Sequence, residues 1–496
     1  MSDPILLWNS IALEANRVSH TNGMGEQTGP PLSSRALAIV HLAMYDAFAG
    51  VVNDPAKLPR YIATPPSPPA ASGATVEAAV AAAAHATLSK LFPSQKAFFD
   101  LVLAGAGNVA DAGHGFGVLV AQAILDDRKD DPGAGATGYM PSPDRGRHRP
   151  DPDNPGQGFH APFYGAQSKG FAVTARHELD APPFDNAAYL KALREVRGKG
   201  IAPELTGTLP GGVAGLAPRT VDETLIGVYW GYDGTAQLGT PPRLYNQIVR
   251  EVAKAKANTP ADNARLFAFV NVAMADAGIL AWDQKYIHDL WRPILGVREH
   301  DKSMGPGAAQ PASDISNDCD PSWLPLGGPN SNSSGKNFTP PFPAYPSGHA
   351  TFGAAAFHIT RLFYGVSAGS HAADTLFNGL AAVSDEHNGV TRDNKGAVRA
   401  KHTRRFPKGL WQMIVENGLS RVYLGVHWMF DAFAVKSGGG PDLTKNVGGV
   451  PLGLTIAEDI FSSGGKKAPK KSTVGPRPRP APAADERTAT FSSQYL

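Results

Sequence analysis

Three short strings in the second half of the chain carry charged and hydrogen-bonding side chains. Together they supply three cations, a hydroxyl, a glycine amide and two imidazoles. Such groups neutralise and hydrogen-bond the oxygens of a tetrahedral oxyanion. The strings therefore predict an oxyanion-binding site. They are Lys285 with Arg292-Pro293, then Pro346-Ser347-Gly348-His349, and finally Ser420-Arg421 with His427 and Asp431.

The first string places two cations seven residues apart. On one α-helix this spacing puts Lys285 and Arg292 on the same face, about 10 Å apart along the axis. Apolar residues flank them, and two cations on an apolar face are costly unless an anion or carboxylates compensate. Pro293 predicts a kink directly after Arg292. The alternative interpretation is a surface lysine and a salt-bridged arginine.

The second string follows the rigid, proline-rich residues 340–343 and precedes a helical pattern that starts at Ala350. This order predicts that Ser347 and Gly348 lie at a helix N-terminus, where free amides and the helix dipole bind anions. A glycine there lets an anion approach the backbone. Alternatively, Ser347 is an ordinary N-cap with no ligand.

The third string cannot be one straight helix that presents both Arg421 and His427 on one face, because they lie six residues apart. We expect Gly425 to break the helix, so that His427 begins a new one with Asp431 four residues later. A carboxylate fixes the tautomer of an imidazole and leaves its other nitrogen as nucleophile or ligand. The alternatives are a helix-surface ion pair and a zinc site. The nearby cations disfavour zinc because they repel a dication.

The order of the three strings resembles the type-2 phosphatidic acid phosphatase superfamily, which includes the vanadium-dependent haloperoxidases. Within it the chain is most similar to the fungal-type vanadium chloroperoxidases, over most of residues 5–460. It is shorter than the fungal enzymes between Ala400 and Leu454, so the loops at the site entrance differ from theirs. Further similar stretches are residues 6–9, 16–18, 29–32, 160–165, 232–234, 239–243 and 341–345.

The resemblance implies vanadate as the cofactor, with neither haem nor flavin. His427 matches the histidine that binds vanadium, and His349 matches the acid–base histidine. Asp233 matches the carboxylate that pairs with the last arginine of the site. The residues that match the halide side are Trp282 and Phe342, the latter typical of chloride-oxidising members. The residues that match the groups neutralising the vanadate oxygens are Lys285, Arg292, Ser347, Gly348 and Arg421.

The activity implied by the resemblance is oxidation of halide by hydrogen peroxide, with bromide and chloride as substrates. The product, hypohalous acid, halogenates small organic molecules, and Lys285 is the residue that polarises the peroxide. The alternative is a soluble acid phosphatase in which His427 forms a phosphohistidine and His349 protonates the leaving oxygen. Trp282 and Phe342 favour the peroxidase. A third interpretation, an anion-binding protein without catalysis, predicts no turnover.

The elements that must position these residues are helices. Apolar periodicity predicts helices throughout, and no period-2 pattern predicts a strand, so we expect an all-α protein of bundle type. A buried helix capped by Ser33-Ser34 is expected near the start. The predicted helices are residues 9–20, 35–49, 75–91, 93–103, 110–125, 220–232, 244–257, 262–297, 348–364, 372–387, 408–423 and 428–435.

Composition along the chain predicts three parts. Residues 1–205 are expected to form an N-terminal helical bundle, with a Pro/Gly-rich functional loop or connector over 131–170. Residues 206–462 are expected to form a second bundle that carries the site. Residues 463–496 are rich in Lys, Pro and Ala and are expected to be a disordered basic tail.

Charge and cysteine content exclude several classes of protein. The 496 residues carry a formal net charge of +2. The tail holds seven Lys/Arg and two Asp/Glu, so the remaining 39 basic and 42 acidic residues have a net charge of −3. We therefore expect no nucleic-acid partner. Cys319 is the only cysteine, which rules out an intramolecular disulfide.

Location and assembly are weakly specified by the sequence. Residues 1–17 lack a basic segment and a long apolar run, so no signal peptide is predicted. The cytoplasm and export without an obvious leader both remain open, as does the oligomeric state. No transmembrane segment is predicted either, because the best candidate, residues 264–280, is interrupted by Arg265, Asn271 and Asp276.

Overall fold

The computed structural model describes residues 3–62, 66–67, 73–306 and 318–478. In these ranges the chain forms fifteen α-helices and one two-stranded antiparallel sheet, which confirms the all-α prediction. The helices are α1 (Pro4–Ser19), α2 (Pro30–Val52), α3 (Val76–Leu91), α4 (Lys96–Ala106), α5 (Ala112–Asp127), α6 (Tyr164–Gln167), α7 (Ala187–Lys199), α8 (Val221–Tyr229), α9 (Pro241–Ala255), α10 (Pro260–His288), α11 (Pro293–Arg298), α12 (Gly348–Phe363), α13 (Gly409–Tyr423), α14 (Met429–Ala432) and α15 (Gly449–Ser463). The strands are β1 (Ala381–Val383) and β2 (Thr403–Arg405), and short 3₁₀ helices cover Pro93–Gln95, Pro155–Gln157, Pro203–Thr208 and Asp385–His387.

Helices α1 to α5 pack together at the N-terminal end of the chain. α3 is alanine-rich and is capped by Thr75, whose side chain accepts a hydrogen bond from the amide of Ala78. α5 approaches α3 closely at Gly117, where a Cβ would lie 2.2 Å from the carbonyl oxygen of Ala79. Only glycine permits this contact between helix backbones.

The long helix α10 lies at the centre of the molecule and packs against α2, α6, α12 and α15. Among its buried polar side chains, Asp276 accepts hydrogen bonds from the amides of Phe171, Ala172 and Val173. α2 and α10 are long and apolar enough to span a membrane. However, 83% and 94% of their apolar 18-residue stretches are buried inside the protein. That burial is typical of core helices. The division of the chain at residue 205 stays a prediction.

Helix α12 packs against α10, α13 and α15. α15 contacts α12 at Gly453, where a Cβ would lie 2.4 Å from the carbonyl oxygen of Thr351. This packing brings the N-terminus of α12 and the C-terminal ends of α10 and α13 to one end of the helix group. All three strings singled out in the sequence therefore lie at the same end.

The predicted helix 262–297 is in fact two helices. α10 ends at His288, and Asp289 adopts a left-handed conformation with φ 49°. Pro293 begins α11 instead of kinking α10, because proline fits the first turn of a helix well. Lys285 and Arg292 thus do not share one helix face, and that prediction was wrong.

Other helix predictions also need correction. Residues 372–387 hold β1 and a 3₁₀ helix instead of an α-helix. Asp374 in this stretch accepts hydrogen bonds from the amides of Leu410 and Trp411 and so fixes the start of α13. α2 begins at Pro30, before the expected Ser33-Ser34 cap. Three helices, α6, α7 and α15, and the small sheet were not predicted.

The predicted disordered tail begins too early. Arg265 donates hydrogen bonds to the carbonyls of Lys466 and Lys467, and the amide of Ser472 donates to the carbonyl of Phe171. Arg477 contacts both oxygens of Asp283 at 2.8 and 2.7 Å. Backbone bonds and ion pairs hold residues 464–478, which apolar content could not reveal. Residues 479–496 lie outside the described part of the chain.

Truncation tests this segment. A chain that ends at Pro478 should melt at the same temperature as the full chain. A chain that ends at Ser463 loses the Arg477–Asp283 contacts, and Asp283 has a side chain only 1% exposed. Hydrogen bonds to a buried carboxylate contribute about 2 kcal/mol, so the melting temperature should fall by several degrees. Scanning calorimetry of both chains provides the measurement. Equal melting temperatures would show that the segment contributes nothing to stability.

Candidate oxyanion-binding site

Residues of the second and third strings line one cavity of about 50 Å³. The first string lies directly behind them, with Nη1 of Arg292 2.9 Å from Nε2 of His427. One side of it is polar and the other is apolar. The polar side consists of Asp233, Gly348, His349, Arg421 and His427, and the apolar side consists of Pro30, Pro241, Trp282, Phe338, Pro340, Pro341, Phe342 and Phe352. Residues that are far apart in the sequence thus surround a common space.

Lys285 lies near the end of α10 and is completely buried. Its ammonium group donates hydrogen bonds to the carbonyls of Pro343, Ala344 and Pro346, at 2.8, 3.1 and 2.6 Å. These three acceptors favour the ammonium form, because only that form has three N–H donors. The lysine therefore fixes the segment that leads into Gly348, the first residue of α12, and places its charge beside that helix start.

Arg292 is the residue that precedes α11 and is 1% exposed. Its Nε donates to the carbonyl of Phe342 at 2.8 Å, and its Nη1 donates to the carbonyl of Val426 at 2.7 Å. Nη1 also lies 2.9 Å from Nε2 of His427. Nη2 is buried and has no hydrogen-bond partner among the described residues. Burial lowers the pKa of Arg292 to about 9, which leaves it a cation at neutral pH.

Arg421, near the end of α13, forms a bidentate ion pair with Asp233. The distances are 3.1 Å from Nη1 to Oδ2 and 2.7 Å from Nη2 to Oδ1. The side chains are only 1% and 4% exposed. Nε of Arg421 is buried without a partner in the described residues. The pair fixes the guanidinium plane and leaves the N–H group of Nε available to a ligand.

His349 lies in the first turn of α12 and lines the cavity. Its Nε2 is 2.7 Å from the carbonyl oxygen of Gly231 and 3.9 Å from Asp233. A carbonyl only accepts, so Nε2 carries a proton. Burial and then the charge of Arg421 lower the pKa of His349 to about 3. The ring is therefore neutral at ordinary pH, and its Nδ1 has a free lone pair that can act as a base.

His427 lies between α13 and α14. As expected, Gly425 ends the preceding helix, with φ 74°, although α14 itself starts only at Met429. Nδ1 of His427 is 2.8 Å from the Asp431 carboxylate, which also accepts from the amide of Trp428 at 3.0 Å. The carboxylate therefore holds the proton on Nδ1, so Nε2 carries a lone pair. In this structure that lone pair accepts a hydrogen bond from Nη1 of Arg292, and it is the atom that a ligand would bind.

Burial also shifts the pKa values of His427, Asp431 and Lys285. It lowers the pKa of His427 well below 6.5, with Arg292 as the next contributor, and raises the pKa of Asp431 to about 7. Burial and the charge of Arg292 lower the pKa of Lys285. The site thus concentrates positive charge in a buried region. An anion in the cavity would relieve this repulsion.

Ser347 and Gly348 occupy the start of α12 as predicted. Oγ of Ser347 accepts a hydrogen bond from the amide of Ala350 at 3.4 Å, so the serine is the N-cap. In that bond the hydroxyl is an acceptor and keeps its own hydrogen for a ligand. A Cβ at Gly348 would lie 3.2 Å from the Trp282 ring and 3.9 Å from Cε of Lys285. A larger residue would therefore intrude between these two side chains.

Trp282 and Phe342 form the apolar wall. Their ring centroids lie 4.8 Å apart, and the ammonium of Lys285 is 5.7 and 5.1 Å from them. Sequence reasoning assigned no site role to other apolar lining residues, Pro30 and Phe338 among them, because an isolated apolar residue carries no chemical signal in the sequence. It also missed the carbonyls of Gly231 and Val426, since a backbone acceptor has no sequence signal. Among the described residues, no group of three or more His, Cys, Asp or Glu side chains could hold a metal ion.

An Asp233→Asn variant tests the charge balance of the cavity. Removing one partner leaves the buried Arg421 uncompensated, which should lower the stability of the vanadate-free protein by about 3 kcal/mol. Orthovanadate should then raise the melting temperature of the variant more than that of the wild type, because the anion replaces the lost charge. Scanning fluorimetry with and without orthovanadate measures both, and Asp130→Asn, at an exposed aspartate, is the control. Equal vanadate shifts in variant and wild type would contradict this.

Comparison with known proteins gives matches over most of the chain. Residues 2–158 match a family model described as the vanadium chloroperoxidase N-terminal domain, and residues 265–448 match one described as the VCPO second helical-bundle domain. The chain is 35% identical to the vanadium chloroperoxidase of Curvularia inaequalis, over 96% of this chain and 92% of that protein.

Solved structures show a similar fold. A bacterial vanadium-dependent iodoperoxidase has a TM-score of 0.61 and 19% identity, covering 93% of this chain and 97% of its own. The holo form of a bacterial vanadium-dependent chloroperoxidase has a TM-score of 0.59 and 16% identity, covering 89% and 93%. At these identities the likeness concerns the arrangement of the helices.

Proposed function

Because the chain belongs to the vanadium chloroperoxidase family, we propose that it is a vanadate-dependent haloperoxidase that uses hydrogen peroxide to oxidise bromide and chloride. The 35% identity over nearly the full length of both chains supports this. The product is hypohalous acid, which halogenates small organic molecules. The structural observation that carries the proposal is that residues of the second and third strings line one cavity, with Arg292 of the first string 2.9 Å from His427.

The residues at the cavity fit vanadate. Nη2 of Arg292 and Nε of Arg421 are buried donors without a partner among the described residues, and such groups are costly to leave unsatisfied. A tetrahedral oxyanion supplies the missing acceptors. Nε2 of His427 offers a lone pair to vanadium. The groups we assign to the vanadate oxygens are Lys285, Arg292, Ser347, Gly348 and Arg421.

When bound, vanadate supplies a Lewis acid that activates peroxide toward halide without a change in its oxidation state. The chain supplies proton transfer and fixed charge. His349 accepts a proton from the incoming peroxide at Nδ1, since Nε2 is held by Gly231. Lys285, whose N–H groups are held by three carbonyls, acts on the peroxide through its charge. Charges fixed in advance need little reorganisation during the reaction. Trp282 and Phe342 keep water from the halide side.

One assay separates the proposed function from its alternatives. Protein incubated with orthovanadate, bromide, hydrogen peroxide and monochlorodimedone should bleach the dye only when vanadate is present. Hydrolysis of p-nitrophenyl phosphate that vanadate inhibits, with no bleaching, would instead establish a phosphatase that uses His427 as nucleophile. No turnover in either assay would leave only an anion-binding protein. Replacing bromide with chloride then measures the halide range.

A further inference from the structure

His160 lies outside the three strings, but its backbone is hydrogen-bonded to both segments that carry the apolar wall. Its amide donates a hydrogen bond to the carbonyl of Pro341 at 2.9 Å, one residue before Phe342. Its own carbonyl accepts from Nε1 of Trp282 at 3.4 Å and from the hydroxyl of Tyr286 at 2.9 Å. The backbone of this one residue therefore links the two segments that carry the wall.

The imidazole of His160 packs against the same two aromatic rings. Its centroid lies 6.4 Å from that of Trp282, with an interplanar angle of 82°, and 6.2 Å from that of Phe342. On its other side, a Cβ at Gly29 would lie 2.3 Å from Nε2. The next residue, Pro30, lines the cavity. The ring thus packs behind Trp282, Phe342 and the segment that carries Pro30, and it does not line the cavity itself.

The unpartnered state of the ring indicates a role in packing. Nε2 of His160 is buried and has no hydrogen-bond partner among the described residues. Burial lowers the pKa of His160 to about 4, so the ring is neutral at ordinary pH. It cannot attract halide by charge under these conditions. Its influence must pass through the positions of Trp282 and Phe342.

We propose that His160 is a positioning residue that sets halide specificity by holding Trp282 and Phe342 in the closed wall of the cavity. This inference rests on the proposed function. A halide that enters an apolar pocket must lose water, and chloride holds water more tightly than bromide. Chloride oxidation therefore depends more strongly on close contact with the wall. Loosening the wall should reduce chloride turnover more than bromide turnover.

The test compares His160→Ala with the wild-type enzyme loaded with vanadate. Displacement of a pocket wall by a fraction of an ångström should lower kcat/KM for chloride about tenfold more than that for bromide. The vanadate dissociation constant of the vanadate-free protein, measured by equilibrium dialysis, should stay within about twofold, because the polar side is untouched. Tyr286→Phe is the control: it removes a bond to the same carbonyl but keeps the ring, and its halide ratio should match the wild type.

Three outcomes would overturn the inference. These are an equal loss for both halides, a vanadate affinity that falls as much as chloride turnover, and a Tyr286→Phe ratio that shifts like that of His160→Ala. If His160→Ala does not fold, His160→Val, which keeps only part of the volume of the ring, should show a smaller loss of the same chloride-selective kind. A wild-type protein with no vanadate-dependent oxidation of either halide would instead refute the proposed function. An unchanged ratio in an active enzyme refutes the role of His160 alone.

Discussion

Replacing His427 with alanine is expected to abolish vanadate binding at micromolar concentrations. Its Nε2 carries a lone pair because the Asp431 carboxylate, 2.8 Å from Nδ1, holds the proton on that nitrogen. Loss of a residue that supports a metal ligand lowers affinity about 10- to 100-fold, so loss of the ligand itself should exceed that range. Equilibrium dialysis of the vanadate-free protein with orthovanadate measures the effect.

The fold of the His427→Ala variant must be checked separately, because the ring is buried. His371→Ala serves as the control, since that imidazole is exposed and distant from the three strings. Its dissociation constant should equal that of the wild type. Tight vanadate binding by a folded His427→Ala variant would refute the ligand assignment.

Replacing His349 with alanine should leave vanadate binding intact but strongly reduce halide oxidation. Vanadate should still bind, because His427 and the cations remain. Halide oxidation should fall by about 10²- to 10⁴-fold, the usual contribution of a general acid–base group. Steady-state assays with bromide and chloride, on protein whose vanadium content has been measured, give the comparison. Unchanged turnover would remove the acid–base role from this residue.

The pH profile adds a second test of His349. Burial and Arg421 lower the pKa of its ring to about 3 in the vanadate-free protein. The base is therefore present above that pKa and lost as the pH falls through it, so the rate should drop on the acid side. A bound anion favours the imidazolium and moves this limb to higher pH. His349→Ala should lack the limb.

Much of the fold could be predicted because apolar periodicity and helix signals agree in α3, α12 and α13. Thr75, for example, is a capping residue followed by an alanine-rich run, and α3 begins directly after it. The helix prediction failed where contacts with residues distant in the sequence determine the backbone conformation. The segment between α10 and α11 is extended because the amide of Trp291 bonds to the carbonyl of Gly146, a residue far away in the sequence.

The site residues could be identified because their side chains are of the types that bind oxyanions and transfer protons. Their arrangement could not. Lys285 and Arg292 were expected two turns apart on one helix face, yet Lys285 lies in α10 and Arg292 directly precedes α11. The carbonyls that hold the lysine come from residues 343–346 and have no side-chain signature. His160 likewise acquires its place only through folding, since nothing in its local sequence points to Phe342.

The most direct test of the vanadate site is a crystal structure of the protein soaked in orthovanadate, with vanadium located by its anomalous scattering. We expect one vanadium per chain in the cavity, bonded to Nε2 of His427, with its oxygens within hydrogen-bond distance of Arg292 and Arg421. A vanadium peak elsewhere on the chain, or one in the cavity without an imidazole ligand, would contradict this account.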